Sequence, residues 1–125
     1  MTDFEMLNLK DKMRIIQELV PGKQITIAHI IANPDPILYQ KLGLDPNVDY
    51  AKSAIGVVTI SPAETAIIIA DIATKASGAE IGFVDRFSGT LIVTGTVSEV
   101  DSALKALCDY SKEVLGFTVC DISRT

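Results

Sequence analysis

Few side chains in this 125-residue chain could act on a substrate, and their spacing does not gather them. His29 is the single histidine; it sits among apolar residues and reads as a hydrogen-bonded structural imidazole, with no triad assembling around it. Gly22-Lys23 resembles the end of a phosphate-binding loop. The glycine needed five residues earlier is Gln17, and Gln24 stands where Ser or Thr would ligate magnesium. Asp45-x-Asn47-x-Asp49 imitates the start of a calcium loop, but Tyr50 and Gly56 occupy the positions that require Gly and Glu. Cys108 and Cys120 lie twelve apart without a C-x-x-C spacing, so neither a zinc site nor a disulfide framework is supported, and they read as two reduced, buried thiols. Asp85-Arg86 is by default a surface ion pair, contributing roughly 0 to 1 kcal/mol. No G-x-G-x-x-G or G-x-S-x-G run occurs. The reading is of a protein that is not an enzyme and carries no cofactor and no metal.

Composition narrows the partners. Eleven Lys and Arg against sixteen Asp and Glu leave a formal charge of −5, the wrong sign for a phosphate backbone, so nucleic acid is not expected. Aliphatic runs such as 66–70 fall far short of the roughly 20 residues that cross a bilayer, so no membrane partner is expected. Asp3 and Glu5 stand where a secretory signal would carry Lys or Arg, which points to the cytosol. With 48% hydrophobic and 22% charged residues, the chain has the make-up of one folded domain.

The elements that must position these residues follow from periodicity and punctuation. Residues 13–20 read as a strand ending at Pro21-Gly22, and 23–32 as a second strand running into the helix-start signal Asn33-Pro34-Asp35-Pro36. A short helix to Gly43, a polar turn over 44–52 and a buried strand over 53–60 follow. Ser61-Pro62-Ala63-Glu64 has the form of a capping box opening a helix to about Ser77. Residues 79–85 and 90–97 form a hairpin across Gly89, Ser98 caps a third helix to Gly116, and 117–122 close as a strand. The fold class is α+β, a mostly antiparallel sheet covered by helices. Ile67, Ile68 and Ile69 are consecutive and cannot share one helical stripe, while Ala63, Ala66, Ala70, Ala73 and Ala76 let another backbone approach with a sheet opposite. Packing on two sides, one of them against another subunit, is expected; an unusually apolar interior helix is the alternative.

Several stretches then carry a resemblance: Ile15-Ile16-Gln17-Glu18, Val20-Pro21-Gly22-Lys23-Gln24, Ala28-His29-Ile30-Ile31-Ala32-Asn33-Pro34, Pro62-x-Glu64-Thr65-Ala66, Ala70-Asp71-Ile72-Ala73-x-Lys75-Ala76 and Ile81-Gly82-Phe83-x-Asp85-Arg86-Phe87-Ser88-Gly89. Together with Ala54-Ile55-Gly56 and the ending Cys120-Asp121-Ile122-Ser123-Arg124-Thr125, they resemble a circularly permuted bacterial microcompartment shell protein. The likeness is to the minor-component type of propanediol- and ethanolamine-utilisation organelles. It covers residues 13–125, a single permuted BMC domain, with 1–12 as an extension open to disorder.

The resemblance implies a homohexamer, flat or slightly bent, that tiles a polyhedral shell in the cytoplasm together with other shell proteins. It implies that Arg14, Ile15, Ile16, Gln17, Glu18, Leu19 and Val20 gather near the six-fold axis, where six parallel strands close a small barrel that plugs the pore and leaves no unpaired edge. Asp85, Arg86, Phe87, Ser88 and Gly89 would lie around that pore, with each Arg86 matched to an Asp85 within or between subunits. Lys75 would stand at the hexamer edge. Asn33 takes a position where related hexamers carry Arg, which weakens the edge and with it self-tiling. A targeting peptide of an enclosed enzyme is a further partner, docking at the barrel. Two other readings stay open: a small-molecule-binding regulatory module of ferredoxin-like fold, and a compact enzyme using His29 or Cys108.

Overall fold

β-branched runs bounded by turn residues build the sheet, and amphipathic segments between them build its cover. The computed structural model describes residues 22–45 and 53–125. Within them run β1 (Gln24–Ile31), α1 (Pro36–Lys41), β2 (Ala54–Ser61), a 3-10 turn (Ala63–Thr65), α2 (Ala66–Ala76), β3 (Glu80–Asp85), β4 (Thr90–Gly95), α3 (Val97–Glu113), β5 (Thr118–Val119) and β6 (Ser123–Arg124). The leading strand expected over 13–20 lies outside the described residues. The sheet order is β3-β4-β2-β1-β5, with β6 also on β1. The pairs β1–β2, β2–β4 and β3–β4 are antiparallel, and the short β5 and β6 run parallel to β1. The α+β class and the mainly antiparallel sheet stand as expected.

Register sorts the side chains onto two faces, because successive residues of a strand point to opposite sides. Ala28 pairs with Val58 and Val58 with Leu91; Ile30 pairs with Gly56 and Gly56 with Val93. These positions form the face on which α2 and α3 lie, and Ile69, Ala70, Ala73, Val100, Leu104 and Leu107 join them in one core. A fully buried Leu or Ile contributes about 1.5–3 kcal/mol. Gly56 lets α3 settle onto the sheet, since a Cβ there would meet Leu104 Cδ1, Val100 Cγ1 and Val93 Cγ2, each at 2.8 Å.

Four local expectations are corrected. Ser61 does not cap a helix, because it closes β2 opposite Gln24; the chain then stays extended through Pro62, and α2 starts at Ala66 after the 3-10 turn. Thr96, not Ser98, caps α3: Thr96 Oγ1 accepts the Glu99 amide at 3.1 Å and Glu99 Oε1 accepts the Thr96 amide at 2.9 Å. Both Ser98 and Thr96 are followed by an acid at the third position, and the glutamate has the reach to close the box. The last strand is two short pairings, with residues 120–122 between them outside the ladder. Finally, Ala66, Ala70 and Ala73 share the core-facing side of α2 with Ile69, so its small-residue face is the inner one, and Ile67 and Ile68 face out.

Candidate functional site

The β3–β4 hairpin tip concentrates the residues singled out for a pore. Asp85 ends β3 and turns its carboxylate onto its own loop. Its Oδ1 accepts the Phe87 amide and its Oδ2 the Ser88 hydroxyl, both at 2.8 Å. These two donors hold the Asp85 carboxyl below the ordinary carboxylate range. Arg86 does not pair with it within the chain; its guanidinium stands 5.0 Å from the Phe87 ring centroid, a cation–π contact. Phe87 itself is 82% exposed. Gly89 takes φ +76° and lies so close to Ile60 O that a Cβ would stand 2.1 Å from it, which anchors the tip to the end of β2. The Ile60 amide donates to Gly89 O at 2.9 Å. The tip is thus pre-shaped, with an aromatic ring and a cation projecting from it.

The expected edge residues lie on separate elements. Lys75, in the last turn of α2, pairs with Asp71 one turn back, Nζ to Oδ2 at 2.8 Å, and that hydrogen bond raises its pKa. Asn33 is exposed just beyond β1, next to the buried Pro34. The axial set Arg14 to Val20 lies outside the described residues.

His29 holds the chain's end. Its Nδ1 lies 2.6 Å from Ser123 Oγ and its Nε2 2.8 Å from Thr125 Oγ1, so both ring nitrogens are engaged by β6 and its neighbour. Hydroxyls, not carboxylates, meet both ring nitrogens among the described residues, in keeping with the structural role read from the sequence. Cys108 is buried and Cys120 half-buried, and both are free thiols. Burial, aided by the neighbouring Cys120, pushes the Cys108 thiol up to about 11. Such a thiol is a poor nucleophile.

What the sequence did not reveal is how much apolar surface surrounds the tip. β3 is an edge strand, and Ile81, Phe83 and Val84 are exposed along it. A register shift between Ile81 and Phe83 disrupts alternation, so Phe83 shares a face with its partner Ile92 while Val84 shares the other with Leu91. On α2, Ile67 is 54% and Ile68 44% exposed. α2 packs beside β3 and runs back along it, so its first turn, the end of β3 and Phe87 lie at one end of the molecule. The three consecutive isoleucines had signalled half of this surface; the mixed-face exposure of β3 had no periodic signature.

Known proteins share this architecture. The BMC domain family matches residues 54–123. The bacterial microcompartment shell protein PduU of Salmonella typhimurium is 54% identical over 112 residues, covering 90% of this chain and 93% of its own length. The shell protein EutS of Escherichia coli is 45% identical over 115 residues, covering 92% and 99%. A solved structure described as a CutR flat hexamer superposes with a TM-score of 0.78 at 46% identity, covering 90% of this chain and 99% of that one. These matches decide the family: the chain belongs to the BMC-domain family of bacterial microcompartment shell proteins.

Proposed function

We propose that this chain is a structural subunit of a microcompartment shell in the bacterial cytoplasm, working as a homohexamer alongside other shell proteins. The observation that carries the reading is the set of large apolar side chains left exposed on α2, β3 and the hairpin tip, Ile67, Ile68, Val84 and Phe87. A neighbouring copy covers it, and a heterologous contact of this kind repeats into a closed ring. The likeness to a flat CutR hexamer supports six copies.

In this reading residues 13–125 are a circularly permuted BMC domain. Residues 13–20 of six copies close a parallel barrel that occludes the axis, where a targeting peptide docks. Asp85 to Gly89 surround the axis, with Arg86 free to meet a neighbour's Asp85 across the subunit boundary. Lys75 and Asn33 stand at the hexamer edge. Native mass spectrometry and electron microscopy test this on the full chain. Six chains per particle with hexagonal outlines are expected, Ile67→Glu is expected to yield smaller species, and deletion of residues 1–20 is expected to leave hexamers with an open axis. Monomers from the unmodified chain would overturn the reading.

A further inference from the structure

We infer that the chain's own leading segment, residues 13–20, docks across the tip of the β3–β4 hairpin, with Ile16 and Val20 against the Phe87 ring and Glu18 at the Arg86 guanidinium. The register brings the two parties to one end of the sheet. Gln24 pairs with Ser61 and Ile25 with Ile60, so β1 begins where β2 ends. Thr59 pairs with Thr90 and Thr90 with Asp85, so β4 begins and β3 ends at that same level. The Ile60 amide donates to Gly89 O at 2.9 Å, which ties the tip there. The 21 residues that precede Gly22 therefore join the described chain at the end that carries Arg86 and Phe87.

Reach and chemistry both fit. β1 and β3 are three strand spacings apart, about 14 Å. Glu18 stands four residues before Gly22, about 13 Å of extended chain, so it comes level with the tip. Pro21 disfavours helical backbone at Val20 and so favours that extended approach. In an extended segment Ile16, Glu18 and Val20 fall on one side, an acid between two aliphatic side chains. The tip presents the complement. Phe87 is 82% exposed with the Arg86 guanidinium beside it, and both Asp85 oxygens are already engaged by their own loop.

Val114 is another apolar side chain exposed at this end, where α3 stops just before β5 joins the start of β1. It is flanked by Glu113, which repels Glu18, so charge selects the hairpin tip. The docking goes beyond the hexamer reading, because both parties belong to one chain. It also leaves room for that reading: a guanidinium has five N–H donors, so contact with Glu18 spares others for a carboxylate of a neighbouring copy. A ring as exposed as Phe87 has surface for its own segment and for a neighbour.

The test is photo-cross-linking of the full-length protein carrying Phe87→p-benzoylphenylalanine, assembled from a mixture of ordinary and heavy-isotope-labelled chains and read by peptide mapping. The expected result is a link from position 87 to a peptide within residues 13–20 of the same chain. Its yield should fall several-fold in Glu18→Arg and recover when Arg86→Glu is added. Links that only join different chains, a link to the end of α3 in place of the leading segment, or a yield indifferent to the charge swap would overturn the proposal. Native mass of the same sample separates the two readings: hexamers without the link sink the docking alone, and the link in solitary chains upholds the docking and sinks the hexamer.

Discussion

A carboxylate that spends both oxygens on its own loop makes the hairpin tip a fixed object. The Asp85 pKa is depressed in the folded chain by the Phe87 amide and the Ser88 hydroxyl, so its contribution to stability is present above the pKa of the unfolded carboxyl and is lost as pH falls through the folded value. Following the Asp85 carboxyl carbon by NMR should give a midpoint below the ordinary 3.8, and Ser88→Ala should move it upward. Gly56 is the other residue at which a single atom decides. Because a Cβ would meet three core side chains at 2.8 Å, Gly56→Ala should cost about 1–3 kcal/mol in chemical denaturation. An alanine as stable as the parent would mean that α3 does not sit where described.

Among the elements, α3 offers the sharpest comparison. Its first turn is closed by the reciprocal Thr96–Glu99 bonds, which satisfy amides that no carbonyl within the helix can reach. Thr96→Ala should therefore destabilise by about 1 kcal/mol. Ser98→Ala, one residue inside the exposed face of the helix, should stay within about 0.5 kcal/mol of the parent. Urea midpoints of the two variants check the assignment, and equal losses would contradict it. β6 is held in turn by the His29 clamp, a contact across the sheet instead of within one turn. Serine and threonine hydroxyls both donate and accept, so they can serve the imidazole in either tautomer.

For the whole molecule the question is which surfaces meet copies of the chain and which meet the rest of a shell. Among the described residues Lys75 pairs with Asp71 on its own helix, at an exposed position where water and salt screen the pair. Lys75→Ala should leave the thermal midpoint and the hexamer intact and lower incorporation into shells, read by co-purification with other shell proteins. Loss of the hexamer itself would relocate Lys75 to the boundary between subunits. Phe83→Glu, on the exposed edge strand, should instead reduce the native mass below that of a hexamer.

Much of the architecture was legible because it depends on short-range physics. Turn residues such as Gly43, Gly89 and Gly116 end elements where a left-handed φ is needed, and β-branched density marks β1, β2 and β4. The charge balance and the lack of paired catalytic groups directed the reading away from nucleic acid and enzymes, and the consecutive isoleucines of α2 marked it as a helix with two apolar sides. Other features depended on partners distant in the chain. Ser61 lost its capping role because Gln24 claimed its backbone. His29 met Ser123 and Thr125 only because β6 returns to β1 in parallel. Local propensity selects elements residue by residue, but hydrogen bonds and burial between remote segments exist only after the chain has closed on itself, and those contacts decide what each side chain faces.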